Sequence, residues 1–279
     1  MKHTEFNYTA SDGMASYMQI WQPDEDSATK AVICLIHGLG EHSSRYAHFA
    51  HFMTAKGIAV MATDLRGHGK SEGRRGDVAD YGILGDQVAQ VLARAKQVFA
   101  TPNIFLYGHS MGGNIVLNYA LREQPLVNGL IISAPFLRTP DPIPAAKLLL
   151  ARIMKNVWGG WRENNALKID KLSHLPEVET AYRNDALVHP QISVRWFYGA
   201  IQAAEHALNH AADLKIPTLL MHGTEDALTA HDASAEFAQK NPQFVTFKSW
   251  QGLYHELHNE TQQNEVMQLV ANWINEHCK

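Results

Sequence analysis

The pentapeptide Gly108-His109-Ser110-Met111-Gly112 has the form G-x-S-x-G and follows the apolar run Ile104-Phe105-Leu106-Tyr107. A helix is expected just after it, over about 114–121. Strand, sharp turn and helix are the setting in which a serine hydroxyl is held out as a nucleophile. The flanking glycines then have a steric purpose, because strand and helix must close on each other beside a strained residue. A serine hydroxyl is a weak nucleophile at neutral pH; it needs a base, and the base needs a carboxylate to fix its tautomer. On this kind of turn the chain order is serine, acid, histidine. An apolar strand at 218–222 runs into Gly223-Thr224-Glu225-Asp226, and a last strand at 244–250 runs into Gln251-Gly252-Leu253-Tyr254-His255. Asp226 is the candidate acid, with its neighbour Glu225 as competitor pointing a different way. His255 is the candidate base, with His258 as rival. There are 16 histidines, so most must be structural or superficial and position alone singles out His255. The run His255-Glu256-Leu257-His258 is not a zinc motif: a helical pair needs its second histidine four residues on, where Asn259 stands. No metal and no cofactor are expected.

A tetrahedral intermediate carries an oxyanion and needs preorganised N–H donors. One is expected from Met111, the residue after the nucleophile. The other is expected from Leu39, in the loop His37-Gly38-Leu39-Gly40 that follows the third strand. The same glycines would equally make a tight turn.

The elements that must position these residues alternate. Residues 6–8 and 17–21 read as a hairpin around Ser11-Asp12-Gly13. Runs at 31–36 and 58–62 read as strands buried on both faces. Helices are expected at 46–55, 233–239 and 264–277. Another is expected at 83–99, where Ile83, Leu84, Val88, Val91, Leu92, Val98 and Phe99 share a face. With strands at 104–107 and 130–133, this predicts an α/β fold with a mostly parallel sheet flanked by helices. The pattern breaks over 136–211, where Pro140, Pro142 and Pro144 crowd together and helical pieces follow at 145–157 and 194–207 with no buried strand between. We read 1–135 and 212–279 as two parts of one core and 136–211 as a helical cap, against the plainer reading of an extra helical layer.

The chain has 279 residues, 46% apolar and 19% charged, with net charge −4. That is a globular composition without a basic block, and it argues against a nucleic-acid partner. No apolar run reaches the ~18–20 residues of a membrane span. The N-terminus shows no apolar leader, and the two cysteines, Cys34 and Cys278, make no disulfide framework. A reducing cytoplasm is the simplest expectation.

Four segments resemble the monoacylglycerol lipases, a family shared in most motifs with bacterial lysophospholipase-like proteins. They are 37–46 (H-G-x-G-E-H-S-x-R-Y), 64–73 (D-x-x-G-H-G-x-S-x-G), 108–113 and 254–260 (Y-H-x-L-H-x-E). The resemblance covers almost the whole chain and implies the α/β-hydrolase fold, with a cap shaping an apolar channel. It favours Asp226 as the acid. It also implies that Glu41, Arg45 and His258 meet the polar glycerol end of a monoacylglycerol, although Glu41 and Arg45 could instead form a pair that fixes their loop. Segment 64–73 is assigned no chemistry. Asn184-Asp185-Ala186-Leu187-Val188-His189 is similar to a recurrent N-D-P-L-V-x segment, with alanine where proline is common.

Several apolar residues of the middle segment stay ambiguous. Val194, Trp196, Phe197, Ile201 and Leu208 serve either as core or as an acyl channel. For Leu148, Leu149, Leu150, Ile153, Met154 and Val157, contact with a membrane surface or micelle is a third role. The implied reaction is carboxylester hydrolysis on a small lipid ester, through an acyl-enzyme on Ser110. A lysophospholipase is the runner-up; peptidase and C–C hydrolase chemistry, or slow-turnover binding, also occur on such a framework.

Overall fold

The computed structural model describes residues 1–24, 29–101 and 103–279. Its strands are β1 (Lys2–Thr9), β2 (Ala15–Gln22), β3 (Ala31–Ile36), β4 (Ile58–Thr63), β5 (Ile104–His109), β6 (Gly129–Ser133), β7 (Arg162–Asn164), β8 (Gln191–Ser193), β9 (Thr218–Gly223) and β10 (Val245–Trp250). Its helices are α1 (Ala47–Thr54), α2 (Gly82–Val98), α3 (Met111–Glu123), α4 (Ala145–Val157), α5 (Pro176–Asn184), α6 (Val194–Asn209), α7 (His231–Gln239) and α8 (Gln263–His277).

Eight strands form one sheet in the order β1-β2-β4-β3-β5-β6-β9-β10, antiparallel at the β1, β2 edge and parallel from β4 onward. The apolar runs explain this. Along β3, Val32, Cys34 and Ile36 enter one core while Ala31, Ile33 and Leu35 enter the other. A strand whose successive side chains are all apolar must be covered on both sides. On one face α2 and α3 supply Leu84, Val88, Val91, Ile115 and Val116. On the other, α1 and α8 supply Phe49, Met53, Val266, Val270 and Ile274. This is the α/β-hydrolase architecture. The face expected for 83–99 needs one correction: Val98 is 39% exposed, and Phe99 lies past the helix in extended backbone.

Between β6 and β9 lie α4, α5, α6 and a two-stranded ribbon of β7 with β8. The ribbon and α5 were not anticipated. Three-residue strands of polar composition carry no usable period, and α5 buries only Tyr182. Helix α6 is anchored by Trp196, Ala200, Ala203, Ala204 and Ala207, all buried. No helix among the described residues is long and apolar enough to cross a membrane.

Candidate active site

Ser110 joins β5 to α3, with φ 54° and ψ −117°. Non-glycine residues avoid that region, and the surrounding contacts must impose it. Its N–H donates to the Ser133 carbonyl at 2.9 Å, and its own carbonyl accepts from Phe136 at 3.0 Å and Asn114 at 3.2 Å. The neighbouring glycines are required by close approach. A Cβ on Gly108 would lie 2.5 Å from the Gly112 carbonyl oxygen, and one on Gly112 would lie 2.1 Å from that of Ile36.

Asp226 and His255 leave the ends of the adjacent parallel strands β9 and β10, whose pairing sets Gly223 opposite Trp250. The two side chains therefore meet although 29 residues separate them: His255 Nδ1 lies 2.6 Å from Asp226 Oδ2. A carboxylate only accepts, so Nδ1 carries the proton and Nε2 of the neutral ring keeps its lone pair. Glu225 is exposed and turned away. Asp226 Oδ2 also accepts from Thr229 Oγ1 at 2.9 Å and from His222 Nε2 at 3.0 Å. Its Oδ1 accepts the N–H groups of Leu228 (2.7 Å) and Thr229 (3.0 Å). Burial would raise the Asp226 pKa, but His255 and His222 outweigh it and hold the group well below the usual carboxylate range. Burial pulls the His255 pKa down, and Asp226 more than reverses this, leaving it above the ordinary 6.5. His255 and Ser110 line the same small pocket. Among the described residues no hydrogen bond ties Ser110 Oγ to the imidazole, a contact that in such sites commonly tightens around substrate.

The backbone N–H groups of Leu39 and Met111 have no acceptor among the described residues, and both residues border the main cavity beside Ser110. Glu41 shapes the loop that carries Leu39. Its Oε1 accepts from the Gly38 N–H at 2.6 Å and the Tyr46 hydroxyl at 2.8 Å, and its Oε2 accepts from Arg45 at 2.7 Å. The Arg45 guanidinium also grips Glu256 bidentately at 2.8 and 2.9 Å. Burial disfavours the Arg45 charge, but Glu256 and Glu41 more than offset it and push its pKa up. The pair-that-fixes-a-loop reading of Glu41 and Arg45 thus describes their contacts, with Glu256 as an unforeseen third member. Both still border the small pocket.

His258 differs from its expectation. It is fully buried, stacked on Tyr46 at 4.6 Å and edge-on to His109 at 5.1 Å, and it lines neither cavity beside Ser110. Burial drives its pKa to about 3, so it is a neutral packing ring. The tail motif puts it in a 3₁₀ turn, with its ring stacked against Tyr46 and against His48 of α1. Segment 64–73 is structural: Asp64 accepts from the Ser43 N–H and hydroxyl and from the Lys70 N–H, and so staples two loops together.

Two spaces open from Ser110. One is a cavity of about 320 Å³ bordered by Phe136, Leu150, Met154, Val194, Phe197 and Leu228. The other has room for about 20 Å³, near the size of one water, and is lined by Glu41, Arg45 and Glu256 together with Leu167, Leu172 and Tyr182. Of the ambiguous apolar residues, Trp196 and Leu208 are core, while Val194, Phe197, Leu150 and Met154 line the cavity.

A serine aminopeptidase S33 family model matches residues 27–262. The chain belongs to this family of α/β-hydrolases. It is 31% identical over 279 residues to a monoacylglycerol lipase from Mycolicibacterium smegmatis, covering 98% of both chains. It is also 31% identical over 273 residues to an uncharacterized abhydrolase domain-containing protein of Dictyostelium discoideum, of whose length it spans only 29%. The structure superposes on the crystal structure of Paleococcus ferrophilus monoacylglycerol lipase with TM-score 0.84 and 26% identity, covering 99% of this chain and 100% of that one. The family member described here is a serine ester hydrolase of the clade that holds the monoacylglycerol lipases and esterases.

Proposed function

We propose that this chain hydrolyses monoacylglycerols to glycerol and fatty acid, with Ser110, His255 and Asp226 as the catalytic triad. Ser110 Oγ attacks the ester carbonyl while His255 Nε2 takes its proton. Asp226 orients His255 and stabilises the imidazolium. The N–H groups of Leu39 and Met111 hold the oxyanion. His255 returns the proton to the departing glycerol oxygen, leaving the acyl group on Ser110. It then deprotonates water, which releases the acid and regenerates the serine.

The observation that carries the substrate reading is the asymmetry around Ser110. Ser110 borders both a mostly apolar cavity of about 320 Å³, fit for an acyl chain, and a small pocket lined by Glu41, Arg45 and Glu256, fit for hydroxyl groups. Segment 136–211 acts as a cap whose α4 and α6 roof the cavity. The glycerol end enters beside Glu41 and Arg45 once Leu167, Leu172 and Tyr182 move outward, because the pocket as it stands holds only about a water. His258 then supports this pocket from behind through Tyr46.

A substrate panel tests the reading: monoacylglycerols of several chain lengths, di- and triacylglycerols, lysophosphatidylcholine, an aminoacyl amide and p-nitrophenyl esters. Monoacylglycerols should show the highest kcat/KM. Ser110→Ala should lose both turnover and fluorophosphonate labelling while keeping its fold. Undiminished turnover in that variant would overturn the mechanism, and faster cleavage of lysophospholipid would overturn the substrate.

A further inference from the structure

The peptide N–H groups on either side of His255 are both held, and neither by a helix or a strand. That of Tyr254 donates to Glu260 Oε1 at 2.9 Å. That of Glu256 donates to the Leu172 carbonyl at 2.8 Å. Leu172 belongs to segment 136–211 and follows a short 3₁₀ turn, Ile169–Lys171. The cap therefore grips the chain one residue beyond the candidate base.

Glu260 is fully buried and joins the same two parts. Its Oε1 also accepts from the His174 N–H at 3.3 Å and from His174 Nδ1 at 2.8 Å, and its Oε2 accepts from the Thr261 N–H at 2.9 Å. A carboxylate is costly to bury unless its lone pairs are filled. Here three backbone N–H groups and one imidazole fill them, so loop and cap together set its place. Ser173 Oγ donates to the Asn259 carbonyl at 2.7 Å. His174 stacks on Tyr254 at 3.7 Å, and Lys171 donates to the Tyr254 hydroxyl at 3.2 Å. Four consecutive cap residues, 171–174, thus bind the loop 254–260 on both sides of His255. Asp226 is fixed separately, by His222, Leu228 and Thr229. The 2.6 Å contact between His255 and Asp226 depends on both anchors, one in the core and one in the cap.

We propose that Glu260 and His174 are positioning residues for His255: they tie the cap to the histidine loop and hold the imidazole against Asp226. The cap then serves the reaction as well as covering the cavity. Such a geometry must hold within about 0.5 Å, and a misplacement of about 1 Å can cost roughly a hundredfold in rate. Leu172 also borders the small pocket beside Ser110. Its side chain can swing aside for a substrate, whereas a shift of its backbone would pull on Glu256 and through it on His255. The proposal rests on His255 as the base and is independent of which ester is cleaved.

The test is steady-state hydrolysis of p-nitrophenyl acetate across pH by the full chain and its variants, with circular dichroism to follow folding. So short an ester leaves most of the acyl cavity empty, so contacts between cap and acyl chain do not enter. Glu260→Ala should lower kcat roughly tenfold or more and change KM less than about twofold. Its acid limb should move to lower pH: burial lowers the His255 pKa, Asp226 more than restores it, and a slack loop weakens that contact. Glu256 and Glu41 also face His255 and act in the same sense as Asp226, while His109 and His258 are held neutral by burial. Glu260→Gln keeps an oxygen for Tyr254 and His174 and gives up only the Thr261 contact, so it should restore most of kcat and of the acid limb. His174→Ala, at a side chain 37% exposed, should lower kcat roughly threefold or more and shift the limb the same way. Arg183→Ala, on the surface of α5, should change neither. A folded His174→Ala with unchanged kcat and acid limb overturns the proposal, whether or not Glu260→Ala folds. A loss confined to KM, or equal losses in Glu260→Ala and Glu260→Gln, also overturns it. His255→Ala keeps the two readings apart. Turnover retained there removes the base and this proposal with it; turnover lost there, with the Glu260 and His174 variants unaffected, removes this proposal alone.

Discussion

Replacing Asp226 by Asn tests whether the acid acts through His255. The substitution is nearly isosteric but presents an NH2 group to donors on one side or the other. With the amide nitrogen at Oδ2 it opposes His255 Nδ1, His222 Nε2 and Thr229 Oγ1; at Oδ1 it opposes the N–H groups of Leu228 and Thr229. The charge is lost in either orientation. An imidazolium about 4 Å from a carboxylate gains roughly 4 kcal/mol at an effective dielectric of about 20, or about 10³ in rate. Loss of the correct tautomer extends this toward ~10⁴, the size of the same exchange in other serine triads. The pH profile carries a second signature. His255 works as a base only when neutral, and its pKa stands above 6.5 because Asp226 outweighs the effect of burial. Wild-type kcat/KM should therefore fall as pH drops through a value above 6.5. In Asp226→Asn burial remains and the carboxylate is gone, so the acid limb should move to lower pH. The assay is steady-state hydrolysis of a p-nitrophenyl ester across pH, with circular dichroism to confirm folding. A folded variant with less than a tenfold rate loss, or with an unmoved acid limb, would refute the reasoning.

Three more outcomes rest on particular contacts. His222 holds Asp226 from behind through Nε2 and is itself fixed by Ser234 Oγ at 2.8 Å on Nδ1. His222→Phe should cut kcat by roughly tenfold or more and shift the acid limb, while His222→Gln, which keeps a donor, should restore most of both; equal losses in the two variants would reduce the residue to packing. Gly112→Ala forces a methyl to 2.1 Å from the Ile36 carbonyl oxygen, so α3 must leave the sheet. A cost of about 3 kcal/mol, or a Tm lower by roughly 6–12 °C, is expected by thermal denaturation. Glu256→Ala leaves the buried Arg45 with one carboxylate in place of two. It should destabilise by about 3–5 kcal/mol in urea unfolding, and a loss under about 1 kcal/mol would mean that water replaces the carboxylate freely.

Most of the sheet was legible because its strands are short, apolar and β-branched, and because glycines and polar turns punctuate them. The run Ala31–Ile36 coincides with β3 to the residue. Helix α3 begins three residues earlier than expected, since the elbow itself supplies the first turn. The middle segment was less legible. Its helices α4 and α6 carry a helical period, but α5 and the β7–β8 ribbon are too short and too polar for a period to form. In the site, Ser110, Asp226 and His255 could be named from chain order. His222 and Glu256 were overlooked although each is close in sequence to one of these three candidates, because nothing in local pattern says which of 16 histidines faces a carboxylate.

The sequence by itself determined the reaction type and the parts available for it. A serine between glycines after an apolar strand, followed by an acid and a histidine after two later strands, has few uses other than nucleophilic catalysis. It did so because strand periodicity, turn chemistry and the G-x-S-x-G spacing are local properties. Tertiary structure decided which parts touch. The parallel register of β9 and β10 brings Asp226 to His255, whereas the 3₁₀ turn after His255 carries His258 into the core behind Tyr46 and away from the pocket. It also joined Glu256 to Arg45 across 211 residues and left Leu149, Ile153 and Val157 of α4 exposed. Contacts of that kind depend on how distant segments pack, which no window along the chain contains.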